Sequence, residues 1–327
     1  MIVEAWGFFA CIFILTLIGM GPALCLVSSA EKRVAYALGM APTLGLAIIG
    51  LIGFPLLRYI APVQSWAWPL TAFLVLVSLV IGARDWRRNK DDYRVLADWR
   101  SILSLVFFVL VCDVILVSPL ILNGMQYAAF RSNPSDAFFY ASLAETVRVV
   151  DWHTLVGGAD LSSGNLEGIR KLAEASPTAL FMARTIAKPS SLANPIALSW
   201  AAQIVGIPVH RFYYGYHLVC FALALPLSLA VGEHLKISRR LKYLAAAAVV
   251  LGFWAKFVLE TDAGYQISTI PLFLLLIFAW MQLEQEAPRA VSRSRLLLAV
   301  ACAAIVAFYI VLVPVMVIAS ICYYGVG

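Results

Sequence analysis

Few residues in this chain are of a type and spacing that could do chemistry. In the run Asn133-Pro-Ser-Asp-Ala-Phe-Phe-Tyr, Asp136 and Tyr140 stand four residues apart, so on a helix they share one face, with Ala144 a turn further on. A carboxylate so placed can take the proton of an acceptor hydroxyl or orient that hydroxyl. It can equally stabilise the helix dipole and cap free amides, because Asp136 would be the third residue of a helix opened by Pro134. Asp151-Trp152-His153 supplies a second carboxylate beside an imidazole that could bind an acceptor or a phosphate. Lys256 and Glu260 lie one turn apart, with Asp262 just after, and read either as a snorkelling pair or as part of a site. With Asp136 and Asp151, Glu260 and Asp262 make a candidate cation site whose ligand spacing names no metal. Asp113 falls inside a long apolar run, where an ionised carboxylate costs at least a few kcal/mol, and His217 in another such run is a candidate partner. A proton path and a plain buried hydrogen bond are the two readings of that pair.

The elements that must position these groups follow from composition. Of 327 residues, 62% are hydrophobic and 13% charged, and mean hydropathy is +0.89; soluble domains are about half apolar and about a quarter charged. The sequence predicts an all-α polytopic membrane protein. Apolar runs long enough to cross a bilayer fall at about 6–28, 34–57, 66–83, 101–122, 213–231, 243–259, 266–283 and 296–323, about eight spans. Four short connections hold 15 of the 24 lysines and arginines: Lys32 and Arg33; Arg84, Arg87, Arg88, Lys90, Arg94 and Arg100; Lys236, Arg239, Arg240 and Lys242; and Arg289, Arg293 and Arg295. With single crossings all four lie on one side, which the positive-inside rule makes cytoplasmic, leaving the amino terminus outside. The net charge of +6 is therefore a membrane signature rather than a nucleic-acid one. Lacking a basic n-region, the first run is expected to stay as a helix.

One segment, about Asn123 to Arg211, is too polar to stay in the bilayer and is expected as one large outer loop of short juxtamembrane helices. Asn133-Pro134, Ser176-Pro177 and Asn194-Pro195 each read as an N-cap followed by proline at the first helical position. Gly157-Gly158 and Ser162-Ser-Gly-Asn165 read as turns. Phe212, Tyr213, Tyr214 and Tyr216 read as an interfacial aromatic belt, and the Arg84–Arg100 loop, with Trp86 and Trp99, as an anchor on anionic headgroups. The six cysteines show neither a disulfide framework nor metal-ligand spacing. There is no P-loop, dinucleotide fingerprint, His-Glu-x-x-His or serine elbow.

The loop resembles the first outer loop of the GT-C superfamily of integral-membrane glycosyltransferases, in the aminoarabinose-transferase and protein-mannosyltransferase branch. The resemblance rests on Asp136 followed by Tyr140, the later Asp151-Trp152, and Pro195 to Trp200 re-entering the membrane. It covers roughly 101–283. Residues 1–100 then form an N-terminal three-span region with a basic loop, and 284–327 a basic loop and last span. Two departures accompany it: Ala137 stands where many members carry a second acid, and three spans precede the loop while few follow it. On that pattern the branch is rearranged, or the chain is incomplete or needs a partner subunit.

The resemblance implies transfer of a sugar from a polyprenyl-phosphate donor to a lipid, glycan or protein acceptor on the outer, periplasmic face of a bacterial inner membrane. Asp136 would be the catalytic carboxylate and Asp151 its support. Lys256, Arg211, Arg184, Arg131 and Lys188 would hold the donor phosphate, and Tyr140, His153, Glu260 and Asp262 would line the pocket. No cofactor is certain; a divalent cation, magnesium or manganese, is a candidate. Membrane lipids are partners and nucleic acid is not. The alternatives are a transporter of lipids or lipid-linked sugars, which Asp113 and His217 favour, and a non-catalytic membrane subunit.

Overall fold

The computed structural model of the chain describes residues 2–27, 33–89, 99–123, 134–159, 170, 174, 192–251, 264–285 and 291–308. The longer helices are α1 (Ile2–Leu26), α2 (Arg33–Tyr59), α3 (Val63–Arg88) and α4 (Trp99–Asn123). Then come three shorter ones, α5 (Pro134–Val149), α6 (Trp152–Ala159) and α7 (Ala193–Val205). The chain continues through α8 (Val209–His234), α9 (Arg239–Leu251), α10 (Gly264–Gln285) and α11 (Val291–Phe308). No strand occurs among the described residues. The described parts of the apolar runs singled out above are helical, while 252–259 and 309–323 of those runs lie outside the described residues. Five of them, α1, α2, α3, α8 and α10, contain stretches long and apolar enough to cross a membrane.

Close backbone contacts fix the helix directions. α1 and α2 run antiparallel with almost no side chain between them: a Cβ on Gly19 would overlap the Ala41 carbonyl, and one on Gly45 the Leu15 carbonyl. Such small residues let helices approach where lipid supplies no hydrophobic drive for pairing. α3 runs parallel to α1, held where Gly21 abuts the Ser78 backbone and its amide donates to Ser78 Oγ at 2.8 Å. α8 lies antiparallel to α2, with Gly39 seated on Pro226 and Ala230, and Thr43 donating to the Leu223 carbonyl at 3.4 Å. Pro226 lacks the amide that would bond the Ala222 carbonyl, one residue before the carbonyl that Thr43 reaches.

α9 turns back along α8, with Gly232 against Lys242. α10 ends beside the end of α8, where Tyr36, His234 and Phe278 pack ring on ring. α11 climbs to put Phe308 on Gly50. The bundle thus has two ends. At the basic end α3 finishes with exposed Arg84, Arg87 and Arg88, the α8–α9 turn exposes Lys236, Arg239 and Arg240, and α11 begins with exposed Arg293 and Arg295. At the other, the loop end, sit the start of α1, the end of α2, the starts of α3 and α8, and helices α5 to α7.

On α3 the buried positions Val63, Ala67, Thr71, Leu74 and Ser78 form one stripe, and large apolar side chains cover the rest. Trp68 (54% exposed) and Trp86 (50% exposed) bracket that face. Their separation of 18 residues is about 27 Å of helix, close to the roughly 30 Å of bilayer hydrocarbon. α8 is the innermost helix and is buried along nearly its whole length. Phe212, Tyr213, Tyr214 and Tyr216 are all buried, so the expected aromatic belt is instead core, covered by α1 and α7. Exposed Trp6, Tyr59 and Trp68 occupy the belt positions at the loop end.

If the α1–α2 approach organises the bundle, Gly45→Val should lower the thermal unfolding temperature of the purified protein in detergent sharply. Overpacking costs about 1–3 kcal/mol even where side chains can yield, and here the obstructing atoms are backbone. Gly82→Ala is the matched control, since its Cβ would meet only Leu24 Cδ1 at 3.8 Å. It should be neutral or stabilising by up to about 1 kcal/mol; equal losses in both variants would contradict the packing argument.

Candidate functional site

Helices α5, α6 and α7 build the loop end. α5 begins at Pro134, as the sequence predicts, and residue 136 falls in its first turn. One turn on, Tyr140 is partly buried against the core, and Ala144 is fully buried. The helix face shared by positions 136, 140 and 144 is therefore the face that turns into the bundle at its second and third positions.

α5 is fastened to α7 by a joint that the sequence reading missed. Arg148 donates from Nε to Glu145 Oε2 at 3.0 Å and from Nη2 to Oε1 at 2.5 Å, a bidentate pair, while its Nη1 reaches Gln203 Oε1 at 3.3 Å. Glu145 and Arg148 are three apart on one helix, a spacing visible in the sequence. The link to Gln203 is not visible, because it spans 55 positions.

α7, the stretch expected to return the chain to the membrane, is not a surface helix of the bundle. It is enclosed by α2, α3, α5 and α8, with Trp200 and Ser199 fully buried. The Trp200 indole donates to Thr71 Oγ1 at 2.9 Å, and the Thr71 hydroxyl in turn donates to the Ala67 carbonyl at 2.7 Å. Ile196 fills the space that Gly53 leaves. Thr71 and Gly53 lie three and six residues inward of Trp68 and Tyr59, about 4.5 and 9 Å along their helices. α7 thus packs inside the level of the exposed aromatics.

Asn194 does not cap this helix: Leu192 holds the cap position, and Asn194 is buried, accepting a 3.0 Å bond from the Tyr216 hydroxyl. Its amide oxygen is needed there because a buried phenol without a partner would be costly. α7 stops at Gly206, whose φ of 69° is left-handed and whose amide returns to the Ala202 carbonyl.

Asp151 is committed to structure. Its Oδ1 accepts the Thr154 amide at 2.9 Å and its Oδ2 the Thr154 hydroxyl at 2.7 Å, so it is the N-cap of α6. Burial pushes its pKa upward, but these bonds outweigh burial and hold it below the usual carboxylate range. Gly157 and Gly158, expected in a turn, fall within α6, which the Asp151 cap starts and which continues through them to Ala159. Trp152 packs edge-on against Phe54 of α2, and His153 is exposed.

Arg211 is exposed in the first turn of α8, at the same end as α5. Arg131, Arg184, Lys188, Lys256, Glu260 and Asp262 lie outside the described residues, as do Ser176-Pro177 and Ser162 to Asn165. Among the described residues no group of three or more His, Cys, Asp and Glu side chains could hold a metal ion.

Away from the loop end, Asp113 is buried on α4 with 3% exposure, and its Oδ1 has no hydrogen-bond partner. His217, buried on α8, instead packs edge-on against Tyr213 and Tyr216, with ring centroids at 4.4 and 5.6 Å. It does not donate to that carboxyl oxygen. Compared with protein-family models, curated proteins and solved structures, the chain matches none.

Asp151→Ala should cost about 1 kcal/mol at neutral pH through the lost cap, and Asp151→Asn much less. Because the folded carboxyl titrates below its unfolded value, the stabilisation is complete above that unfolded value and is lost as the pH falls through the folded one. The difference in thermal stability between wild type and Asp151→Ala should therefore shrink below about pH 4. A difference independent of pH would contradict the capping role.

Proposed function

We propose that this chain is a GT-C-type membrane glycosyltransferase acting at the loop end of the bundle. The observation that carries the reading is the placement of α5: it is the next described helix after α4, its first turn holds Asp136, and buried α7 backs it through the Arg148–Gln203 hydrogen bond. A catalytic carboxylate needs such a rigid seat, because small misplacements of a base are costly in rate. In this reading Asp136 takes the proton of the acceptor hydroxyl. The acceptor oxygen bonds to the anomeric carbon from the face opposite the phosphate, the carbon–oxygen bond to phosphate breaks, and polyprenyl phosphate leaves with that electron pair. The product is inverted.

Arg211, at the same end, is the one of the five candidate cations that lies among the described residues; Arg131, Arg184, Lys188 and Lys256 are further candidates by position in the sequence. Tyr140, one turn from Asp136, and exposed His153 suit acceptor binding, with Glu260 and Asp262 as additional pocket candidates. Asp151, occupied as a cap, supports the site by positioning α6 rather than by touching substrate. A divalent cation, magnesium or manganese, remains a candidate cofactor. The acceptor is a lipid, glycan or protein, and a bacterial inner membrane with the loop end periplasmic fits the basic opposite end.

A second reading, transport of a lipid or lipid-linked sugar, is favoured by Asp113. A membrane carboxyl with an unmatched oxygen is costly and is kept where protons or ions move.

The test uses the full chain in nanodiscs with polyprenyl-phosphate-linked aminoarabinose and mannose as donors, measuring released polyprenyl phosphate. Asp136→Asn should lower turnover by at least about a hundredfold with folding unchanged, while Asp113→Asn keeps it. Turnover retained in Asp136→Asn would overturn the assignment of Asp136. Proton-coupled flux lost in Asp113→Asn, without any release reaction, would replace the enzyme by the transporter.

A further inference from the structure

The α8–α9 corner at the basic end combines three features that neither the core nor the proposed reaction uses. Lys236, Arg239 and Arg240 are exposed there. Interleaved with them, Leu235, Leu241 and Leu244 are each more than half exposed. The one acid between Gly232 and Leu244 is Glu233, which is ion-paired to Lys242, so the corner carries four cations to one acid. A solvated charged turn does not need exposed leucines, and a purely lipid-facing helix does not carry three cations in five positions. Alternation of the two is what a membrane interface selects: leucines entering the acyl layer and cations meeting headgroup phosphates.

The backbone adds an independent reason. α8 ends in a complete Schellman motif: the Ile237 amide bonds the Gly232 carbonyl at 3.0 Å, and the Lys236 amide bonds the Glu233 carbonyl at 3.1 Å. That motif requires a left-handed residue, and the residue is Lys236, with φ of 56°. Glycine takes this conformation without strain and is the usual occupant. A lysine held there points to a use for its charge. The neighbouring wall is shaped for lipid as well: Tyr243 receives Phe108 of α4 edge-on at 4.6 Å, with Arg239 6.0 Å from the tyrosine ring, and exposed Leu103 and Phe107 of α4 continue the apolar surface.

We infer that this corner is a binding site for anionic phospholipid, in which Lys236, Arg239 and Arg240 hold the headgroup phosphate while Leu235, Leu241 and Leu244 sit among the acyl chains. The inference does not depend on the proposed reaction.

The test reconstitutes the full chain in nanodiscs of phosphatidylcholine with and without phosphatidylglycerol, and reads both the unfolding temperature and, by native mass spectrometry, the phosphatidylglycerol retained. Wild type should be stabilised by phosphatidylglycerol and retain it. Lys236→Gly should unfold at a higher temperature than wild type in pure phosphatidylcholine, through relief of strain, yet bind phosphatidylglycerol about fivefold more weakly. Arg239→Gln with Arg240→Gln should weaken it about 25-fold, at one such factor per charge. Opposite signs for Lys236→Gly in the two readouts are the signature, since a merely structural role would move both together. Three results would overturn the site: retention unchanged in the corner variants, the same loss from Arg87→Gln with Arg88→Gln at the end of α3, or a response to total charge alone.

Discussion

Gly19 and Gly45 let the backbones of α1 and α2 touch, and the rest of the molecule is arranged around that contact. In lipid, apolar side chains gain little by meeting one another, so association rests on close packing and on the few polar bonds between helices. The same device recurs outward from the pair: Gly21 admits α3, Gly39 admits α8, and Gly53 admits α7 through Ile196. Each contact sets a register as well as a distance. The helix ends, and with them the two chemically different ends of the bundle, follow from these registers.

One end is basic, while the other carries α5, α6 and α7. Four polar pairs tie the loop end together, Asn194 to Tyr216, Trp200 to Thr71, Arg148 to Glu145 and Gln203, and Asp151 to Thr154, while Ser199 Oγ on α7 is buried without a partner. An unmatched polar group at this depth would cost about as much as a lost hydrogen bond, or more. Asp113 is the acidic residue among the described groups that keep a buried oxygen without a hydrogen-bond partner, alongside neutral ones such as Ser199 and Ser228. A second function, if the molecule has one, is to be sought there.

Much of this architecture was legible in the sequence, and the remainder was hidden for identifiable reasons. The apolar runs and their basic connections mark the helices and the basic end, because length and charge are local properties. Pro134 marks the start of α5 for the same reason. The run Phe212 to Tyr216 misleads because an aromatic belt and an aromatic core have the same composition; what separates them is the cover provided by α1 and α7, through distant Gly7 and Asn194. Asn194-Pro195 has the form of a cap, yet its amide is taken by a phenol 22 residues away. Gly157-Gly158 has the form of a turn, yet the Asp151 cap starts a helix strong enough to run through it. The glycines that matter most carry no side chain with which to signal their partners. Of the candidate site, Asp136 and Tyr140 could be placed together from spacing alone, whereas the structural duty of Asp151 appears only once Thr154 is seen bonded to it.

In the proposed function a lipid-embedded bundle encloses α7 and presents α5 at one membrane boundary, where a lipid-linked substrate meets Asp136. A cryo-EM map of the full chain in nanodiscs with native lipids retained is the decisive measurement. It should show a lipid belt bracketed by Trp68 and Trp86, α7 buried inward of Trp68 against Thr71 and Gly53, and a lipid whose phosphate lies at the loop end beside α5. A belt displaced from those tryptophans, α7 lying free on the surface, or a through-membrane cavity centred on Asp113 with no lipid at α5 would contradict it.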